Sequence, residues 1–197
     1  MDKRFLKRIL VTVLLLAPLT FKSYSQSLKI GGQLGYGIPQ GDMFSLNGEE
    51  LSKGGISLDL DAMYYLEKLE SKLGFGINYN GSVLFSQSTA SGLDIGIYGF
   101  SLYGIKVNYQ IFQTKVTPYL SLSTGLTQLS TPEIIDGNGN VISESEKSYS
   151  FGLRPEVGLD LAGFIISVGY LVPMKYDLEN KKAGILQISL GLRYKTF

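Results

Sequence analysis

Between residues 149 and 161 the chain alternates without a break. Tyr149, Phe151, Leu153, Pro155, Val157, Leu159 and Leu161 are apolar, while Ser150, Gly152, Arg154, Glu156, Gly158 and Asp160 are small, polar or charged. A period of two places the two sets on opposite faces of a β-strand. The run is longer than a typical soluble strand and exceeds the roughly 9–11 residues that a tilted strand needs to cross a bilayer.

The same alternation recurs along the chain. Residues 28–38 set Leu28, Ile30, Leu34, Tyr36 and Ile38 against Lys29, Gly31, Gln33, Gly35 and Gly37. Residues 56–66 set Ile56, Leu58, Leu60, Ala62, Tyr64 and Leu66 against Ser57, Asp59, Asp61, Met63 and Tyr65. Residues 72–85 set Leu73, Phe75, Ile77, Tyr79, Val83 and Phe85 against Lys72, Gly74, Gly76, Asn78, Asn80, Ser82 and Leu84. Residues 115–128 set Val116, Pro118, Leu120, Leu122 and Leu126 against Tyr119, Ser121, Ser123, Gly125 and Thr127. Residues 164–171 and 185–194 repeat the scheme, the latter with Leu186, Ile188, Leu190, Leu192 and Tyr194 opposite Gln187, Ser189, Gly191 and Arg193. Residues 93–109 form the one segment that changes phase. Tyr103, Ile105, Val107 and Tyr109 share a face, but Tyr98, Phe100 and Leu102 fall on the other parity. A β-bulge would reset such a phase.

Eight alternating segments predict an all-β fold, an eight-stranded antiparallel up-and-down barrel. The connections run long (39–55), short, medium (87–92), short, long (129–148), very short (Ala162-Gly163) and medium (173–182). Long loops thus gather at one end and tight turns at the other, as in outer-membrane barrels.

The polar face decides between a soluble barrel and a transmembrane one. It is rich in glycine, which weakens a solvent-facing strand but suits a narrow eight-stranded lumen that side chains must fill. It also carries Lys29, Lys72, Lys106, Arg154 and Arg193 against Asp59, Asp61, Glu156 and Asp160, a nearly neutral mixture. The apolar faces assigned above carry no Asp, Glu, Lys or Arg. Lys or Arg on the lipid side would cost about 2–4 kcal/mol at the midplane. Tyr36, Tyr64, Tyr79, Tyr109, Tyr149, Tyr170 and Tyr194 lie on those apolar faces, mostly near segment ends, which suits interfacial aromatic girdles. The expectation is a transmembrane barrel with a filled polar interior. Asp59, Asp61, Lys106, Arg154, Glu156, Asp160 and Arg193 would form its charge network, since buried charges require partners.

Composition narrows the chemistry. The chain has no Cys and no His, which removes thiol nucleophiles, Cys/His metal sites and His-based acid–base catalysis. A net charge of +1 gives no electrostatic reason to bind nucleic acid. Asp136-Gly137-Asn138-Gly139-Asn140 resembles the start of a calcium loop, but Val141 and Lys147 stand where an EF-hand needs Gly and Glu. It reads as a turn tip, and no metal or other cofactor is expected. At the N-terminus, Lys3, Arg4, Lys7 and Arg8 precede an apolar stretch too short to span a membrane as a helix, followed by Ser23-Tyr24-Ser25. Residues 1–25 read as a cleaved export signal and residues 26–197 as the barrel domain.

With this export signal, the eight alternating segments, Thr117-Pro118-Tyr119-Leu120 with Gly125, and the terminal stretch from Ser189 to Phe197, the chain resembles the small bacterial outer-membrane β-barrel domain family, OmpA/OmpX-like and porin-like. The resemblance implies a place in the outer membrane of a Gram-negative cell envelope. It also implies lipid as the surrounding medium and the barrel-assembly machinery as a partner. In that family a terminal aromatic is the assembly signal, here Phe197, although Phe197 is out of phase with Ile188, Leu190, Leu192 and Tyr194. The reading is a monomer with a structural or surface-interaction role and no catalysis. A narrow pore or transporter, a membrane component of a secretion or assembly complex, and a soluble secreted barrel are the alternatives.

Overall fold

The computed structural model describes residues 27–46, 49–66, 72–86, 94–112, 114–135, 141–174 and 183–195. Eight long strands close into a barrel. They are β1 (Ser27–Gln40), β2 (Ser52–Tyr65), β3 (Leu73–Ser86), β4 (Tyr98–Gln110), β5 (Val116–Ser130), β6 (Lys147–Leu161), β7 (Phe164–Pro173) and β8 (Gly184–Lys195). Each pairs antiparallel with its sequence neighbours, and β1 pairs with β8 from Lys29 opposite Lys195 to Gln40 opposite Gly184. Among the described residues, closure gives every barrel strand a partner on both sides, the condition for a sheet to exist in hydrocarbon. The export-signal reading falls on residues outside those described.

Alternation sets the two faces. Leu34, Ile77, Ile105, Leu126, Val157 and Leu190 point outward and are exposed, whereas Gln33, Asn78, Lys106, Thr127, Glu156 and Ser189 point inward and are buried. An exterior belt of exposed Leu, Ile, Val and Phe around a buried polar interior is the inverse of a water-soluble barrel. Tyr36, Tyr109, Tyr149, Tyr170 and Tyr194 are exposed on this surface towards the strand ends. Tyr79 departs from the girdle: it lies mid-strand, with its ring 5.1 Å from that of Tyr103 on β4.

One expectation is corrected. β4 keeps a continuous register with both β3 and β5 from Gly99 onwards, so no bulge resets its phase. Tyr98, Phe100 and Leu102 instead face the lumen and are buried there. Among the described residues, the register shift in the barrel ladders lies elsewhere, between Ser52 and Gly54 of β2. That strand also begins earlier than its apolar pattern, at Ser52.

The tight turn between β6 and β7 has two residues, Ala162 at φ 55° and Gly163 at φ 102°. Positive φ at both positions is the hairpin geometry that matches strand twist. Asp160 Oδ1 accepts a 2.7 Å hydrogen bond from the Gly163 N–H and fastens the turn. At the opposite end, the β1–β2 connection folds into a 3-10 turn, Asp42–Phe44, followed by a small hairpin. The β3–β4 and β5–β6 connections join through a short three-stranded sheet.

Candidate functional site: the barrel lumen

Inward-facing residues meet because the strands wrap; they are remote in sequence. Lys106 on β4 projects to the centre and is fully buried. Its Nζ lies 3.0 Å from Asp61 Oδ2, 3.3 Å from Glu156 Oε1 and 3.6 Å from Asp59 Oδ1. Arg154 lies beside it, with Nη1 2.9 Å from Asp59 Oδ2 and also paired with Glu156 Oε2. Arg193 Nη2 lies 3.2 Å from Asp61 Oδ2, and its Nη1 is 4.0 Å from Asp160 Oδ2. All seven residues of the expected charge network therefore lie on one wall-to-wall path, running from Asp160 near the turn end to Asp59 and Arg154 in mid-barrel. The calcium-like run 136–140 and Phe197 lie outside the described residues.

Neutral side chains complete the charged groups. Asn78 and Asn80 donate to the Asp59 carboxylate at 3.1 and 3.2 Å. Tyr119 and Ser121 donate to Glu156 at 3.0 and 3.3 Å. Gln187 accepts from Arg154 Nε at 2.7 Å and donates to Asn80 and Ser82 at 2.8 and 2.9 Å. Buried ions are stabilised when their remaining hydrogen-bonding positions are filled. These groups fill those of Asp59 and Glu156, while Asp61 Oδ1, Arg154 Nη2 and two nitrogens of Arg193 have no hydrogen-bond partner among the described residues. Asn78, Asn80, Tyr119 and Gln187 lie on the inner face, as the alternation predicts, but nothing in the sequence marks them as partners of the ions. Their parity was the available signal; their ladder positions beside the ions are set by register.

The interior is not polar throughout, which corrects the second expectation. Towards the loop end it becomes a compact apolar plug built from Leu84, Phe100, Leu102, Leu129, Leu171 and Ile185, with Tyr98 above them. The 3-10 turn of the β1–β2 connection lowers Met43 and Phe44 onto this plug, and Leu51 joins them. The Phe44 and Tyr98 rings meet edge to face with centroids 5.4 Å apart. Apolar residues on the inner face bury surface against each other just as a soluble core does. The off-phase Tyr98, Phe100 and Leu102 were the sequence signal for this plug. The lumen is thus charged in its turn-side half and middle, and apolar in its loop-side part.

No protein-family model matches the sequence, and no curated protein matches it. Solved structures do. Neisserial surface protein A superposes with a TM-score of 0.60 at 19% identity, covering 87% of this chain and 99% of that one. Ail, the attachment invasion locus protein of Yersinia pestis, superposes with a TM-score of 0.52 at 16% identity, covering 86% of this chain and 97% of that one. The chain has the fold of the small eight-stranded outer-membrane barrels, with an apolar exterior belt and a lumen packed by its own side chains.

Proposed function

We propose that the protein is an integral outer-membrane barrel with a structural or surface-interaction role and without catalysis. The packed lumen carries this reading. Mid-barrel is spanned by Lys106, Arg154, Asp59 and Glu156 in mutual contact, and the loop-side part is filled by the apolar plug. A solute would have to displace both. Charges committed to one another in this way serve cohesion better than substrate handling. The lack of His and Cys speaks against the commoner nucleophile–base pairs.

On this reading residues 1–25 direct export and are removed. The barrel-assembly machinery inserts the chain with Phe197 as its signal, and the protein stands as a monomer in the outer membrane of a Gram-negative envelope. The long connections face the exterior, where contacts with other molecules would be made. The two similar structures are those of a surface protein and an attachment invasion locus protein, which suits a role at the cell surface.

Single-channel recording in planar bilayers tests the reading. The refolded barrel is expected to give no discrete conductance steps. Reproducible unitary steps would replace this role with that of a narrow pore.

A further inference from the structure

The turn-side mouth of the barrel holds a cavity of about 630 Å³, within the range of small-ligand sites. Lys29, Arg193 and Lys195 line it, with Asp160 as the one carboxylate among its lining residues. With Arg193 already paired to Asp61, Lys29 and Lys195 against Asp160 leave a positive excess facing a single space.

The basic groups are held in place. Barrel closure sets Lys29 directly opposite Lys195 across the β1–β8 ladder. The Lys29 ammonium sits 4.4 Å from the centre of the Tyr65 ring, a cation–π contact that orients it without itself using its N–H donors as hydrogen bonds. Arg193 is only 4% exposed. Asp61 holds its Nη2 at 3.2 Å, and its guanidinium carbon is 5.2 Å from the centre of the Tyr119 ring. Its remaining nitrogens, Nε and Nη1, have no hydrogen-bond partner among the described residues. A buried guanidinium with two unpartnered nitrogens at the wall of a cavity is costly unless something accepts from it.

Asp160 does not fill that need. Its Oδ1 is engaged by the Gly163 N–H, and its Oδ2 stands 4.0 Å from Arg193 Nη1, beyond hydrogen-bonding distance. The nearby hydroxyls are committed as donors to the backbone: Thr114 to Val116 O at 2.6 Å and Thr117 to Thr114 O at 2.8 Å. The charged donors of the lining are Lys29, Lys195 and Arg193. The Nη1 edge of a guanidinium flanked by two ammonium groups suits the several acceptor oxygens of a phosphate group better than a single carboxylate.

We propose that this cavity binds a phosphate group entering from the turn side of the membrane. The site goes beyond the role proposed above and does not depend on what the loops contact. Two sources present the chemistry: dissolved phosphate or phosphomonoesters, and the headgroup of an anionic lipid in the adjacent leaflet.

The test uses the refolded barrel with the Arg193 side-chain ¹⁵Nε resonance as reporter. In phosphate-free micelles, inorganic phosphate is titrated against chloride at matched ionic strength. In a second arm the barrel is placed in nanodiscs of phosphatidylcholine with or without phosphatidic acid. A saturable shift with phosphate but not chloride identifies the dissolved source; a shift in phosphatidic acid discs without added phosphate identifies the lipid. Lys29→Gln and Lys195→Gln leave the Arg193–Asp61 pair intact, and their folding is checked by heat-modifiable gel migration. Each is expected to weaken binding by about tenfold, the loss of one charge-assisted contact. No saturable shift in either arm, or the same affinity in both variants as in the parent chain, overturns the proposal.

Discussion

The guanidinium of Arg154 on β6 occupies the volume that a side chain at Gly169 on β7 would need. A Cβ built at position 169 would lie 2.9 Å from Arg154 Nη2 and 3.0 Å from its Cζ. The glycine is therefore the space into which the central cation folds. Gly169→Ala is expected to lower stability by about 1–3 kcal/mol through overpacking, read as a lower urea midpoint for unfolding from lipid vesicles. An unchanged midpoint would mean the guanidinium has room elsewhere.

Lys106 lies within ion-pair distance of three carboxylates at once. Lys106→Met keeps much of the volume but leaves Asp59, Asp61 and Glu156 short of a cation, an expected loss of about 3–5 kcal/mol. Adding Glu156→Gln removes one of the stranded charges. The double variant should be more stable than the sum of the single effects indicates. Strict additivity in the same urea assay would show that these groups do not act as one network.

Orientation of the strands is tested on β8. Leu190 is half exposed on the lipid side in mid-strand, whereas Tyr194 is exposed near the turn-side rim. Leu190→Arg should cost about 2–4 kcal/mol and Tyr194→Arg about 0–1 kcal/mol, because the penalty falls towards the interface. Equal costs would mean that the bilayer does not sit across the middle of the barrel.

The phase of β4 has a direct chemical readout, since the chain contains no native cysteine. Leu102 is buried in the plug and Tyr103 is exposed on the outer wall. In bilayers, a lipid-soluble maleimide should label Tyr103→Cys and spare Leu102→Cys. Labelling of both to the same extent would place a bulge in this strand after all.

Ala162 holds a left-handed conformation at φ 55°, which an L-residue other than Asn, Asp or Gly adopts at a cost of about 1–2 kcal/mol. Ala162→Asn should therefore stabilise the β6–β7 hairpin, by up to about 1 kcal/mol in the urea midpoint. A destabilised Asn variant would show that the turn takes another form.

By itself the sequence determined the architecture and its sidedness. A period of two, broken in phase only within residues 93–109, defines two faces without any knowledge of what they meet. The absence of ionic residues from one face, with glycine and mixed charge on the other, identifies which side meets lipid. The charged residues of the lumen were legible for the same reason: parity alone places Asp59, Lys106, Arg154 and Arg193 inside. Their partners were not. Lys106 meets Asp61 and Glu156 across 45 and 50 positions of chain, and only strand stagger around a closed cylinder sets which inward residues share a level. The apolar plug was likewise decided by tertiary structure. Tyr98, Phe100 and Leu102 break the expected parity in one strand. They satisfy it in space, because Leu84, Leu129, Leu171 and Ile185 from other strands and Phe44 from a connecting loop converge on them. The turn-side mouth is the same case: Lys29 and Lys195 stand near opposite ends of the chain, and closure of β1 on β8 brings them face to face.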